Sequence, residues 1–340
     1  MNSIKQTPQR IAIVGATGAV GLEILKVLEQ RHFPVASLRL LASSRSVGVL
    51  LPFGQKKIPV ELLGEESFSG IDIALFSAGG EISKKFVPYA VRSGAVVIDN
   101  SSVFRMDPAV PLVVPEINGD DVKMHHGIIA NPNCTTAIAL MALYPLHQQF
   151  GLRRVIASTY QAVSGTGMRG IEELRTQVQM LADGNSVTPE VYPHQIAFNL
   201  LPHVDSFLEG GYTREEMKLK NEGRRIMHLP NFTASVTCVR VPVYRAHSIA
   251  IYAEFEHPVS LAKAQAALMA APGVDLVDNP EESLYPMPLD CQGVDHCHVG
   301  RLRLDEALPN ALSFWVCGDQ LLKGAALNAV QIAEYLIASQ

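Results

Sequence analysis

A chain of 340 residues exceeds the usual size of a single domain, so two domains are expected. Its net charge of −5, with no block of like charge, excludes an electrostatic footprint for nucleic acid, and a hydrophobic content of 48% is ample for a core. The polar stretch Met1 to Arg10 lacks the apolar segment of a secretory signal, and runs such as Ala137 to Leu146 fall well short of the ~18 residues of a membrane span. Five scattered cysteines, an odd count, suit a reducing cytoplasm better than a disulfide framework, which leaves a thiol free to react.

In chain order, Arg10 to Val14 reads as a short buried strand that runs straight into Gly15-Ala-Thr17-Gly18-Ala19-Val20-Gly21. Val20, Ile24, Val27 and Leu28 then recur at helical spacing. A strand, a glycine turn and a helix in that order let the backbone approach a pyrophosphate at the helix N-terminus, so Gly15, Thr17, Gly18, Ala19 and Val20 are candidate cofactor contacts, although the spacing is GxxGxxG rather than GxGxxG. The second strand, Leu38 to Ala42, ends in Ser43-Ser44-Arg45-Ser46 where an acid would bind a ribose hydroxyl. With no carboxylate to repel it, a 2′-phosphate is expected on Ser43, Ser44 and Arg45, and the cofactor reads as NADP over NAD.

Ile71 to Phe76 leads into Ser77-Ala-Gly79-Gly80, and Ala95 to Ile98 leads into Asp99-Asn-Ser-Ser102, with a helix expected over Ile82 to Arg92. Strands alternating with helices describe an α/β fold, a Rossmann-like doubly wound parallel sheet that binds ligands at its strand C-termini, Gly79 among them. This nucleotide domain is expected over residues 1–130.

The chain then reaches Asn131-Pro132-Asn133-Cys134-Thr135-Thr136, where the apolar run Gly127 to Ala130 gives way to the helical pattern Ala137 to Leu143. A cysteine in a helix's first turn faces unpaired N–H groups and the positive dipole end, which favour thiolate over thiol. Val155 to Tyr160 is a strand running into the polar loop Gln161 to Gly167, followed by a helix with Ile171, Leu174, Val178 and Leu181 on one face and Gly184 as its stop. Ala234 to Tyr244 and Ala246 to Phe255 are β-branched runs around a turn, so the second domain is expected to be α+β with a mixed or antiparallel sheet, with Arg240 and His247 near one rim. Cys291-Gln-Gly-Val-Asp-His-Cys297-His298 matches no standard zinc spacing, and no metal is expected. Leu321 to Ile337 is apolar nearly all round and reads as a buried helix.

Taken together, Gly15 to Gly21, Ser101 to Met106, Val113 to Asn118, Asn131 to Cys134, Ser158 to Gly165, Thr237 to Pro242 with His247, and Lys323 to Ala329 resemble the aspartate-β-semialdehyde dehydrogenases over nearly the whole length. The resemblance implies NADPH-dependent, phosphate-releasing reduction of L-4-aspartyl phosphate to L-aspartate 4-semialdehyde. It places this reversible step in lysine (with diaminopimelate), methionine and threonine biosynthesis, in the cytoplasm. It implies a homodimer or dimer of dimers, with no nucleic-acid or membrane partner, and a catalytic and dimerisation domain over residues 131–319 with a helix over 320–340 returning to the nucleotide domain.

Carried onto this sequence, the resemblance makes Cys134 the nucleophile, His247 the acid/base and Gln161 an orienting group. Asn133 and nearby N–H groups face the tetrahedral oxyanion, Arg240 takes the substrate α-carboxylate, Glu215 its ammonium, and Lys218 with Arg105 its phosphate. Ser164, Gly165 and Gln320 join the cofactor contacts. Met217 stands where the family commonly has an aromatic residue and Gln320 where it often has Asn. An N-acetyl-glutamyl-phosphate reductase or a glyceraldehyde-phosphate dehydrogenase relative would share a helix-start cysteine and a histidine, but Arg240 with Glu215 and Lys218 suits a free amino acid. An inactive paralogue should lack the nucleophile, and Cys134 is retained.

Overall fold

The computed structural model describes residues 7–339, so Gln340 and most of the polar N-terminal stretch lie outside the described residues. The chain divides into two compact units, one running to Pro132 and completed from Ala325 onward, the other spanning Asn133–Gly324.

The first unit is built from β1 (Gln9–Val14), α1 (Ala19–Gln30), β2 (Val35–Ala42), β3 (Leu50–Phe53), β4 (Lys56–Leu62), β5 (Ile73–Phe76), α2 (Gly80–Arg92), β6 (Val96–Asp99), α3 (Pro115–Asn118) and β7 (Ile128–Ala130). Its strands lie in the order β3-β4-β2-β1-β5-β6-β7, parallel except for the β3/β4 pair. Ile11 to Val14 and Ile73 to Phe76 are buried without interruption, as strands covered on both faces must be. The β3/β4 hairpin carries Pro52 within β3 and turns at Gly54, whose φ is +57°. Proline is confined to such an edge because it cannot donate to a ladder.

The second unit contains α4 (Cys134–Phe150), β8 (Leu152–Gln161), α5 (Met168–Ala182), α6 (Arg214–Ile226), β9 (Thr233–Arg240), β10 (His247–Phe255), α7 (Leu261–Ala270), β11 (Val274–Leu276), α8 (Pro288–Cys291), β12 (Cys297–Leu304) and β13 (Ala311–Gly318). The sheet is mixed, in the order β11-β12-β13-β10-β8-β9. The two β-branched runs read around a turn do not pair with each other. β8 lies between them, parallel to β9 and antiparallel to β10, and β9 stops at Arg240 because Pro242 follows. Every residue from Thr135 to Leu143 of α4 is buried, since the sheet covers one side of the helix and α6 and α7 cover others. Each of its leucines and isoleucines contributes roughly 1.5–3 kcal/mol by leaving water.

The C-terminal apolar stretch is not one continuous α-helix. Leu322–Ala326 forms a wider π turn before α9 (Leu327–Ala338). Gly324 in that turn lies so close to the start of α4 that a Cβ there would stand 2.7 Å from the Cys134 Cβ, and single π turns inside helices occur frequently beside functional sites. Helix α9 belongs to the first unit, where a two-pronged Arg31–Glu334 pair at 2.8 Å ties it to α1. Asn328 Nδ2 also donates to Val113 O at 2.9 Å and Asn131 Oδ1 at 2.6 Å.

Candidate active site

Cys134 is the first residue of α4, and Asn133 caps it, its Oδ1 accepting the Thr136 N–H at 3.1 Å. All five cysteines are free thiols, but only Cys134 is less than fully buried. Burial pushes the Cys238 thiol up to about 12, and hydrogen bonding to Cys317 together with burial raises that of Cys291. These are the environments of inert structural cysteines.

Helix α6 supplies the groups that hold this helix start. Its own N-terminus is fixed by a capping box in which Thr213 and Glu216 bond reciprocally, a pattern legible in Thr-Arg-Glu-Glu. Glu215 is buried, and its Oε1 accepts from Asn133 Nδ2 at 3.0 Å and from Gln161 Nε2 at 3.1 Å. Its Oε2 accepts from Lys218 Nζ at 2.7 Å, while Lys218 also reaches Asp205 at 3.1 Å. Burial pushes the Glu215 carboxyl up, but the Lys218 charge and the three donors outweigh it and hold the carboxyl below its ordinary range.

That balance gives a stability prediction. Glu215→Ala strands Asn133, Gln161 and a mostly buried ammonium, and an unfolding titration should read a loss of about 3 kcal/mol, the low end for breaking a buried pair because Asp205 stays on Lys218. A carboxyl with a depressed folded pKa contributes stability that is full above about pH 4.3 and lost as pH falls through the folded value. The Glu215→Gln protein should show a shallower acid limb than the native chain.

Gln161 and Ala162, at the end of β8, are the hub of the site. Gln161 Oε1 accepts from Thr159 Oγ1 at 3.0 Å while its Nε2 reaches Glu215. The Ala162 N–H donates to His247 Nδ1 at 3.0 Å, and the Ala162 carbonyl accepts from Arg240 Nη1 at 2.8 Å. One peptide segment therefore sets the orientation of Cys134's cap, of His247 and of Arg240. Because an N–H occupies Nδ1, the neutral His247 ring carries its proton on Nε2, which is buried with no hydrogen-bond partner among the described residues. Burial first, and the Arg240 charge second, push the His247 pKa well below its usual value. Gly165 lines the same place, where a Cβ would stand 2.9 Å from Arg240 Nη1 and 3.3 Å from His247 Nε2.

Ser164 Oγ accepts from Gln320 Nε2, and Gln320 Oε1 accepts the Ala246 N–H at 2.8 Å. Ala246 sits in the left-handed region at φ +71°, immediately before His247, and Gln320 holds it there. Asp319 anchors the neighbouring Arg245 at 2.5 Å. Sequence reasoning did not find Ala162, a backbone hub without a distinctive side chain, nor Glu222, whose Oε2 accepts the Asn133 backbone N–H at 2.7 Å. The latter was findable as the residue seven positions after Glu215 on one helical face.

In the first unit, Gly15 stands at φ +85° where β1 turns, and a Cβ there would meet Ser77 O at 2.9 Å. A Cβ on Gly21 would come within 2.2 Å of Gly15 O, so the turn and α1 pack closer than any side chain allows. Gly18, followed by Ala19 and Val20, caps α1 with no side-chain bond, and Gly79, at φ +88°, does the same for α2. Thr17 Oγ1 lies 3.1 Å from Ser46 Oγ, joining the glycine turn to the Ser43-Ser44-Arg45 segment. Arg45 is exposed and makes no hydrogen bond or ion pair with the described residues. A glycine cradle with two bare helix N-termini and a nearby cation fits a dinucleotide phosphate chain. Arg105, also in this unit, is buried with Nε on Asn131 O at 2.9 Å and Nη2 on Asn100 O at 2.7 Å.

Among the described residues no group of three or more His, Cys, Asp or Glu side chains is arranged to hold a metal. Cys291 Sγ lies 3.3 Å from His298 Nδ1, while His296 turns to Asp275 at 3.1 Å.

Residues 10–125 match the family profile described as semialdehyde dehydrogenase, NAD binding domain, and residues 143–323 match semialdehyde dehydrogenase, dimerisation domain. An aspartate-semialdehyde dehydrogenase of Aquifex aeolicus is 53% identical, with 96% of this chain and 98% of that protein aligned. The chain belongs to the aspartate-semialdehyde dehydrogenase family. An aspartate-semialdehyde dehydrogenase of Synechocystis is 48% identical over 97% of this chain and 98% of its own. The crystal structure of aspartate semialdehyde dehydrogenase II from Vibrio cholerae, complexed with ASA, superposes with a TM-score of 0.95 at 43% identity, covering 98% of this chain and 99% of that one. Both expected architectures, the Rossmann-like parallel sheet and the mixed-sheet dimerisation domain, are those of the family.

Proposed function

We infer that this enzyme interconverts L-4-aspartyl phosphate and L-aspartate 4-semialdehyde, releasing or consuming phosphate, in the biosynthesis of lysine, methionine and threonine. The observation that carries the site assignment is the Gln161-Ala162 hub, which orients the cap of the nucleophile, a donor and a guanidinium from one peptide. The Cys134 thiolate attacks the acyl carbon, the C–O bond to phosphate breaks, and a thioester remains. The glycine turn of Gly15 to Val20 with Gly79, and Ser43, Ser44 and Arg45, would hold NADP(H), which would supply or accept the hydride. Backbone N–H groups of the first turn of α4 face the developing oxyanion, because the Asn133 side chain is already committed at both ends.

His247 in this geometry is a donor. Its Nε2–H can bond the substrate oxygen while the thiohemiacetal oxyanion forms and collapses, whereas accepting a proton at Nε2 requires the Ala162 contact to be released. The planar Arg240 fork suits the α-carboxylate, Glu215 the α-ammonium, and Lys218 with Arg105 the phosphate. Ser164, Gly165 and Gln320 shape the place where the cofactor ring would be held, Gln320 acting through Ser164 and Ala246.

Preference for NADP over NAD rests on the free Arg45 and the absence of an acid at the end of β2. A homodimer is supported by the exposed sheet face, where Ile156 and Tyr252 stand opposite one another at 52% and 44% exposure in a unit matching a dimerisation domain. No helix among the described residues is long and apolar enough to cross a membrane, and a cytoplasmic setting agrees with the free thiols.

The test follows NADPH formation from L-aspartate 4-semialdehyde with and without phosphate, then repeats it with NAD and with Arg45→Ala. Phosphate-dependent turnover that weakens with NADP but not NAD in the Arg45 variant is expected. Folded native protein inactive with both cofactors would remove the reaction assignment.

A further inference from the structure

We propose that Glu222 is a positioning residue for the nucleophile, completing in trans the cap that starts the Cys134 helix. The claim rests on the assignment of Cys134 above but concerns a residue that takes no part in binding or chemistry there. In an ordinary capping box, the third helical residue sends a carboxylate or amide back to the N-cap backbone N–H. In α4 that third residue is Thr136, whose own N–H is taken by Asn133 Oδ1, and its short side chain makes no such return bond. Glu222 makes it instead, from a different helix, with Oε2 2.7 Å from the Asn133 N–H.

The residues around this contact are arranged for it. Glu215 and Glu222 lie seven residues apart on one face of α6, and together they grip Asn133 at its side-chain amide and its backbone. Glu222 is 3% exposed, so its carboxylate is withdrawn from water and its bond to Asn133 is correspondingly directional. Gly223 lets α6 come close, since a Cβ there would stand 3.0 Å from the Phe232 ring and 3.6 Å from Leu140 Cδ2 of α4. On the other side Gly324 crowds Cys134 to the limit of contact. The nucleophile is therefore clamped between a backbone with no side chain and a cap held by two carboxylates. A helix start held this way fixes the backbone from which the Cys134 side chain projects. Loosening it moves the attacking atom without removing any group that touches substrate.

The experiment compares Glu222→Ala, Glu222→Asp and Glu222→Gln in the full chain. Asp keeps the charge but withdraws the oxygen by one methylene, and Gln keeps an acceptor of the right length without the charge. Glu222→Ala and Glu222→Asp should lower kcat about 10-fold or more with KM within about twofold of native, as expected for a displaced reacting atom, and Gln should return kcat to within about fivefold. Alkylation of Cys134 by iodoacetamide, followed by peptide mass, should slow in the same order, and Asn133 amide exchange should quicken in Ala and Asp but not in Gln. A native kcat and alkylation rate in Asp, or a Gln protein as impaired as Ala, overturns the proposal. Should the Ala protein fail to fold, the Asp and Gln comparison decides alone. If native protein proves inactive on the semialdehyde, the reaction assignment falls while alkylation and exchange still test the clamp.

Discussion

Cys134→Ala is expected to abolish phosphate-dependent NADPH formation from L-aspartate 4-semialdehyde, a drop of about four orders of magnitude or more, on the scale of removing a covalent nucleophile. The protein should remain folded. Alanine has the highest helix propensity, the Asn133 cap and its two carboxylate supports do not use the thiol, and the Cβ that meets Gly324 is kept. Initial rates and a thermal melt on the same preparation separate the two effects. Retention of more than about one per cent of native activity would exclude a thioester on this residue, and the other four cysteines, all buried, could not replace it.

His247→Ala should lower kcat by about 100- to 1,000-fold, the cost of removing one oxyanion donor from a dry site. The pH dependence distinguishes a donor from a base. With its folded pKa held well below the usual histidine range, His247 stays neutral through the region where a free imidazole titrates, so kcat of the native enzyme should show no inflection near pH 6.5 from this group. Stability has the opposite sensitivity. The unfolded chain gains a proton at this histidine as pH falls through about 6.5 and the folded chain does not, so stability declines from there until the folded pKa is passed. Replacing His247 by Asn should remove that part of the slope, and an unchanged pH dependence of the unfolding midpoint would count against a buried neutral imidazole.

The sequence and the fold agree wherever the determinant is local. The glycine turn after β1 and the cysteine at a helix start are each written within a few consecutive residues. Long apolar runs marked β1, β5 and β6 as strands covered on both faces. The β3/β4 hairpin escaped because Leu50-Leu-Pro-Phe53 is short and interrupted by proline, and its pairing is settled by the sheet edge it covers. The π turn at Leu322–Ala326 escaped because an apolar pattern reports burial, not the width of the helix that carries it.

What the sequence by itself determined about this enzyme is the alternation of strands and helices in the nucleotide-binding half and the helix start at Cys134, because residue chemistry and hydrophobic period are properties of neighbours along the chain. It also marked Cys134, alone of five cysteines, by the helix start that follows it. Only the tertiary structure decided how those side chains are held. Placing β8 between β9 and β10 brings the Ala162 amide to His247 and its carbonyl to Arg240, although these residues are 85 and 78 positions apart. The same folding carries α6 to the start of α4, across 82 and 89 positions, so that Glu215 and Glu222 support Asn133. Backbone donors and acceptors are identical at every residue, and which of them meets a given side chain is fixed by packing alone.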